Sequence, residues 1–313
     1  MVDTLTELPP DPILERRETI QRLAAQTIRR RSISSAIFLW VMMLAFFIAL
    51  VPLGSVLYAL IAKGSQYLTW HFLTGLPPSG FDVLTQIGGV GNALLGTIII
   101  VGAAAIVAVP IAVILGIYLA EADTRWSGTL RAAIEIMTGL PSILLGVFAY
   151  EVIVSRMNNT YSGLAGMFAL AILMVPVIAK ASELALRGVP QTLKEAGLAL
   201  GARHSRVTRG VVLPAALPGV ITGVLLSLAR AIGETAPVLL VIGSGFDKLS
   251  WNPLHTMSTL SLQIYQWSQN PSAAVASQQE SAAWGVALAL VMLVMILSVG
   301  SRVVAARMRR ERH

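Results

Sequence analysis

Residues 93–120 read ALLGTIIIVGAAAIVAVPIAVILGIYLA. Crossing a ~30 Å hydrocarbon core takes roughly 20 predominantly apolar residues, and this stretch exceeds that length. Five further apolar stretches flank it, at 36–62, 132–154, 163–178, 211–242 and 284–303. The stretch at 163–178 is the shortest and can run on to Leu186. The one at 211–242 is long enough to tilt, or to include a short helix ahead of the span. Lipid offers the backbone no hydrogen-bond partners, so each stretch is expected to be helical. The whole chain agrees. Of its 313 residues, 55% are hydrophobic and 12% charged, against about 25% charged in a soluble domain, and its mean hydropathy is +0.74. The expected fold is an all-α polytopic membrane protein with six transmembrane helices. Its membrane domain covers 36–303, after an N-terminal tail at 1–35 and before a basic tail at 304–313. The chain has no cysteine, which excludes disulfides, thiolate metal sites and thiol catalysis. The histidines lack metal-ligand spacing, so no metal and no bound cofactor are expected.

The basic residues give the orientation. The N-terminal tail carries Arg16, Arg17, Arg22, Arg29, Arg30 and Arg31, and the C-terminal tail Arg302, Arg307, Arg309, Arg310 and Arg312. Between them, Arg125 and Arg131 lie in one inter-span link, and Lys180, Arg187, Lys194, Arg203, Arg206 and Arg209 in another. These nineteen face only Lys63, Arg156 and Lys248 on the other side. Positive residues accumulate on the cytoplasmic side, so both termini are expected there, as an even number of spans requires. The net charge of +7 therefore reads as topology. No groove-reading module accompanies it, and no nucleic-acid partner is expected. The first apolar stretch is too long for a cleavable signal peptide. On the opposite side two substantial loops are expected, at 63–92 and 244–283. The aromatic residues Trp251, Tyr265 and Trp267 of the second suit either lipid headgroups or a docking surface.

The link at 187–214, RGVPQTLKEAGLALGARHSRVTRGVVLP, looks built. Pro190 suits a first helical turn, and Thr192 with Glu195 matches a capping box. Leu193, Ala196, Gly197 and Leu200 then form one small-to-apolar helical face. Gly201 is placed to end the helix in a left-handed conformation. A short amphipathic helix under a membrane domain rests on headgroups or fits a groove on a partner.

Glu195-Ala196-Gly197, then Gly201, then Val211, Leu213 and Pro214 resemble the EAA loop of ABC importer permeases. Gly197 stands for the family's second Ala and Val211 for its Ile. The resemblance implies the type I importer permease architecture, with this loop as a cytoplasmic coupling helix that docks in a cleft of the ATP-hydrolysing subunit. The runs NALLGT at 92–97, GIYLAE at 116–121, GLPSI at 139–143 and RAIGETAP at 230–237 are similar to those of phosphate-uptake permeases, the PstA type more than the PstC type. The resemblance covers about 35–303. It implies a bacterial inner-membrane complex with a PstB-type ATPase dimer, a PstC-type second permease and a PstS-type phosphate-binding protein. This chain has no G-x-x-x-x-G-K-[ST] loop. ATP and Mg are therefore expected to be used by the partner ATPase, and this chain to be a transport subunit and no enzyme.

Arg230 and Glu234 interrupt the fifth apolar stretch. A charge deep in a span costs at least ~2.5–3.5 kcal/mol, so such residues face a bundle interior or a wet path. Their i, i+4 spacing lets them pair, either as a structural pair or as part of an anion pathway with the adjoining Thr235. Arg offers a planar donor fork for tetrahedral oxyanions. Glu234 can accept a hydrogen bond only from an oxyanion that keeps a proton, which favours phosphate over sulfate. Gly219, Gly223, Ser227 and Ala231 form a small-residue seam, expected to pack against a helix, with the second permease one candidate. Arg131 and Glu135 are expected to pair with one another, and Glu121 to be solvated. Gly139 and Pro141 break the third stretch, and Gly233 and Pro237 weaken the fifth. The rival readings are a permease for molybdate, sulfate or phosphonate, and an ion-coupled secondary transporter. An intramembrane enzyme lacks a nucleophile or metal constellation.

Overall fold

A computed structural model describes the backbone of residues 12–77, 87–122, 124–157, 160–243, 249–269 and 275–310 and, within these, the side chains of residues 35–300. Lys248, the first eleven residues of the N-terminal tail and the last three of the basic tail lie outside the described residues. The chain divides into two units, one ending at Ala59 and one starting at Leu60. Helix α1 (Pro12–Gly64) runs through the first and ends just inside the second, carrying the described part of the tail and the first apolar stretch in one continuous element.

The second unit holds the remaining helices. In chain order they are α2 (Trp70–Thr74), α3 (Gly91–Glu121), α4 (Arg125–Gly139), α5 (Ser142–Ala149), α6 (Gly163–Arg187), α7 (Gln191–Ala199), α8 (His204–Val207), α9 (Leu213–Gly233), α10 (Ala236–Val241), α11 (Leu260–Gln269) and α12 (Ala276–Arg310). No strand occurs among the described residues. Among the described residues, five helices are long and apolar enough to cross a membrane, and six if the bent pair Arg125–Gly139 and Ser142–Met157 is one span. The all-α membrane-spanning class is as expected. The third span differs from a straight helix, because its two halves meet at 99°. Pro141 removes a backbone donor and forces Leu140 into an extended conformation (φ −67°, ψ 136°). The 163–178 stretch does run on, to Arg187.

Three helices, α3, α6 and α9, form the centre. Along their contacts Ala104, Ala108, Ala112, Ala165, Ala169, Met174 and Ile178 are fully buried. Small residues set the spacing. A side chain at Gly116 would meet Ser182, and one at Gly219 would lie 2.7 Å from the Ala185 methyl. At Gly223 a Cβ would overlap the Ala181 methyl. Ser227 donates to the Met174 carbonyl at 3.4 Å. The small-residue seam of α9 therefore packs against α6 of the same chain, so the second permease is not its partner.

A second core joins the loops at the end opposite the basic links. Phe72, Val90, Ala93, Leu260, Trp267, Ala282 and Val286 pack together. Trp267 is buried against Phe72, with ring centroids 6.3 Å apart, so it serves neither headgroups nor docking. Trp251, by contrast, is exposed.

The α6–α9 seam gives a direct check. Gly223→Ala is expected to lower the thermal midpoint of the solubilised protein through overpacking of about 1–3 kcal/mol. Gly102→Ala, on α3 with nothing within 4 Å of the new methyl, is expected to hold or raise it.

Candidate functional site

Helix α9 stops at Gly233, inside the fifth apolar stretch. Glu234 is extended (φ −71°, ψ 126°) and Thr235 precedes the first turn of α10. Arg230 lies in the last turn of α9, and its Nε donates to Glu234 Oε1 at 3.3 Å. The expected pair is therefore formed, although Glu234 sits beyond the helix end and not on a continuous helical face. Arg230 is 46% exposed and Glu234 16%. A half-exposed guanidinium presents a planar donor fork, the geometry that suits a tetrahedral oxyanion.

The break is supported from the side. The Glu234 N–H donates to the Ala231 carbonyl at 3.3 Å, and Leu239 N–H to the Thr235 carbonyl at 2.9 Å. Ser261 Oγ donates to the Glu234 carbonyl at 2.9 Å. Ser261 in turn lies 3.2 Å from Thr259 Oγ1, and the next residue, Leu260, donates through its N–H to Thr97 Oγ1 of α3 at 2.9 Å. Gly96, beside Thr97, presses on the Ser258 carbonyl so closely that no side chain fits there. Sequence reasoning missed Ser261, whose only signal was a polar run inside a loop.

At the basic end, the 187–214 link is as ordered as expected, with two differences. Helix α7 starts at Gln191, just after Pro190, without a side-chain cap. Thr192 thus falls inside the first turn, and the capping box with Glu195 does not form. The expected single face also divides. Gly197 turns toward α8, where a Cβ would sit 3.0–3.1 Å from Val207. Leu193 and Leu200 point outward, Leu200 being 89% exposed. Glu195 and Ala196 are exposed as well. Gly201 has φ +77°, the left-handed end expected of it. From His204 the chain runs as one helix, through a π-helical turn at Thr208–Val212, into Leu213 and Pro214 of α9.

Ion pairs tie this link to α3. Lys194 Nζ meets Glu121 Oε1 at 2.6 Å, and their side chains are only 17% and 13% exposed. Glu121 is therefore paired and largely buried rather than solvated. Arg131 bonds Glu183 at 2.7 Å, and Glu135 pairs with Lys180 at 3.3 Å. The expected Arg131–Glu135 pair is thus replaced by two links to α6, because α4 lies against that helix. Arg187 also reaches Glu183, at 3.2 Å. Both arginines donate to the Leu119 carbonyl, at 2.7 and 3.2 Å, near the end of α3. Glu183 was missed, although Arg187 four residues on was a signal for it. Among the described residues no group of His, Asp or Glu side chains clusters tightly enough to hold a metal ion.

This arrangement of helices, with an ordered link at one end and a broken helix near the other, is that of a transport-system membrane subunit. The chain belongs to the family of binding-protein-dependent transport system inner membrane components, whose model matches residues 108–310. Among its relatives is the protein named phosphate transport system permease protein PstA 1 of Mycobacterium tuberculosis (strain H37Rv), 36% identical over 294 residues, covering 91% of this chain and 92% of the relative. The PstA protein of Haemophilus influenzae is 35% identical over 78% of this chain and 89% of its own. A probable PstA of Methanocaldococcus jannaschii is 33% identical over 86% and 92%. In fold, the chain is similar to a subunit of a bacterial alginate ABC transporter (TM-score 0.61, 12% identity, 89% of this chain and 97% of that one). It is similar also to the inward-facing MetNI methionine ABC transporter (TM-score 0.53, 24% identity, 70% and 94%).

A double-mutant cycle tests the Glu121–Lys194 tie. Lys194→Met alone strands a largely buried carboxylate and is expected to cost about 3–5 kcal/mol. Adding Glu121→Gln is expected to recover much of that, which thermal unfolding of the two single variants and the double variant will read.

Proposed function

We infer that this chain is the PstA-type permease subunit of an ATP-driven importer of inorganic phosphate. The observation that carries this reading is relatedness at 36% identity along nine-tenths of the chain to a phosphate permease subunit. It is joined by the Arg230–Glu234 pair at the helix break. In this reading Arg230, Glu234 and Thr235 line the substrate path. The guanidinium attracts the anion, and Glu234 accepts a hydrogen bond from the proton that phosphate keeps at neutral pH and sulfate lacks. The half-exposure of Arg230 supports a role beyond packing.

The chain acts as a transport subunit with both termini in the cytoplasm, and ATP with Mg is used by a partner. A PstB-type ATPase dimer binds the exposed surface of α7, through Glu195, Ala196 and Leu200. Gly197, Gly201, Leu213 and Pro214 give that surface its shape. A PstC-type permease completes the membrane domain, and a PstS-type protein delivers phosphate from outside. ATP favours one arrangement of the ATPase dimer, the link transmits it, and the break region opens to one side and then the other. The bias equals the difference in ATP affinity between the two states.

Uptake in cells deleted for this chain tests the reading. Restored wild type is expected to give ATP-dependent phosphate uptake that excess sulfate leaves unchanged. Glu234→Gln, at equal membrane abundance, is expected to lower uptake about tenfold, the loss of one charge-assisted hydrogen bond of roughly 1.4 kcal/mol. No restoration by wild type with its partners present would refute the phosphate assignment, and normal uptake by the variant would make the pair structural.

A further inference from the structure

A cavity of about 570 Å³ opens between the last turns of α3 and the stretch from His204 to Leu213. Its floor is apolar, made of Ile114, Ile117 and Leu213, and its rim carries His204, Ser205 and Arg209. The two parts match the two phases they meet. Ile114 is 67% exposed on a helix of membrane-spanning length, so the floor opens toward the acyl region. The rim lies where α3 ends at Glu121 and the polar link begins. The rim is cationic in net effect. Glu121 is its one carboxylate, and Lys194 neutralises it at 2.6 Å. Arg209 presents a planar guanidinium fork, is exposed, and stands on the π-helical turn Thr208–Val212. Exposed Arg203 and Arg206 add positive charge alongside.

An apolar slot with a basic lip at the membrane surface is the form of an anionic-lipid site. We propose that this cavity binds one anionic phospholipid, its phosphodiester at Arg209 and Ser205 and an acyl chain along Ile114, Ile117 and Leu213. A soluble anion matches the lip alone and leaves the apolar floor in water. A zwitterionic lipid matches the floor and gains little at the lip. The site shares a wall with the Glu121–Lys194 tie that anchors α7, so its occupant braces the link against α3. The proposal does not depend on which substrate the transporter carries.

The complete transporter, in nanodiscs, is to be photolabelled with a phosphatidylglycerol carrying a photoreactive acyl chain, and with the phosphatidylcholine equivalent. Labelled peptides are then mapped. Labelling of peptides containing Ile114 and Leu213 is expected to favour phosphatidylglycerol about fivefold, the worth of one basic residue near an anionic surface. Arg209→Gln is expected to abolish that preference. Ser205→Glu, which places a carboxylate on the lip, serves the same purpose if the first variant assembles poorly. Labelling of other lipid-facing peptides is expected to stay equal for the two probes. Equal labelling of the cavity by both lipids, an unchanged preference in both variants, or displacement of the probe by inorganic phosphate would overturn the proposal. The first outcome leaves only bulk lipid contact, and the last assigns the lip to a soluble anion.

Discussion

A backbone that leaves its helix inside a membrane must find new hydrogen-bond partners, because lipid supplies none. That constraint acts on Glu234 and Thr235, and the surrounding structure answers it. The Glu234 carbonyl is taken by Ser261, its N–H by the Ala231 carbonyl, and the Thr235 carbonyl by Leu239. Ser261 can do this only if the segment before α11 is held near the break. Thr97 on α3 holds it, by accepting from Leu260, and Gly96 lets the strand of chain come close. The 249–269 region is therefore packed into the membrane domain's architecture, with Leu260 and Trp267 buried in the second core.

The basic end obeys a different constraint. Acidic groups at the ends of apolar helices are costly unless paired. Glu183 is paired by Arg131 and Arg187, and Glu121 by Lys194. The two arginines converge on the Leu119 carbonyl, one of the four that a helix end leaves without intrahelical partners. These contacts tie α4, α6 and α7 to the end of α3. The exposed surface of α7 is thereby joined to the central helices through short, charge-assisted contacts instead of a slack loop.

Span count, the ordered link and the break near Gly233 were legible in the sequence, because each rests on local pattern: apolar length, a glycine placed for a left-handed turn, a glycine and a proline around a pair of charges. The Arg230–Glu234 pair followed from spacing alone and survives although its helix does not. What was illegible depends on which helix lies beside which. Arg131 and Glu135 were matched to each other because they are four apart, yet α4 lies on α6, and Glu183 and Lys180 capture them. Glu121 sits at a helix end, which reads as solvent, until α7 folds back and Lys194 covers it. The α9 seam is a correct pattern with an unspecified partner. Only the positions of Ala181 and Ala185 show that α6 fills it. The third span's break was foreshadowed by Pro141, but its 99° angle was not.

In the proposed transport cycle, the break at Glu234–Thr235 lines the path and changes sides. The chain contains no cysteine, so Thr235→Cys would give a single reporter within it. Its rate of reaction with a membrane-impermeant thiol reagent, measured in the assembled transporter with cysteine-free partners, should be fast from one side in the nucleotide-free state. After trapping the ATPase subunits with vanadate, it should be fast from the other side. Equal rates in the two states, or protection from both sides in both, would contradict the account and leave the break as a structural joint.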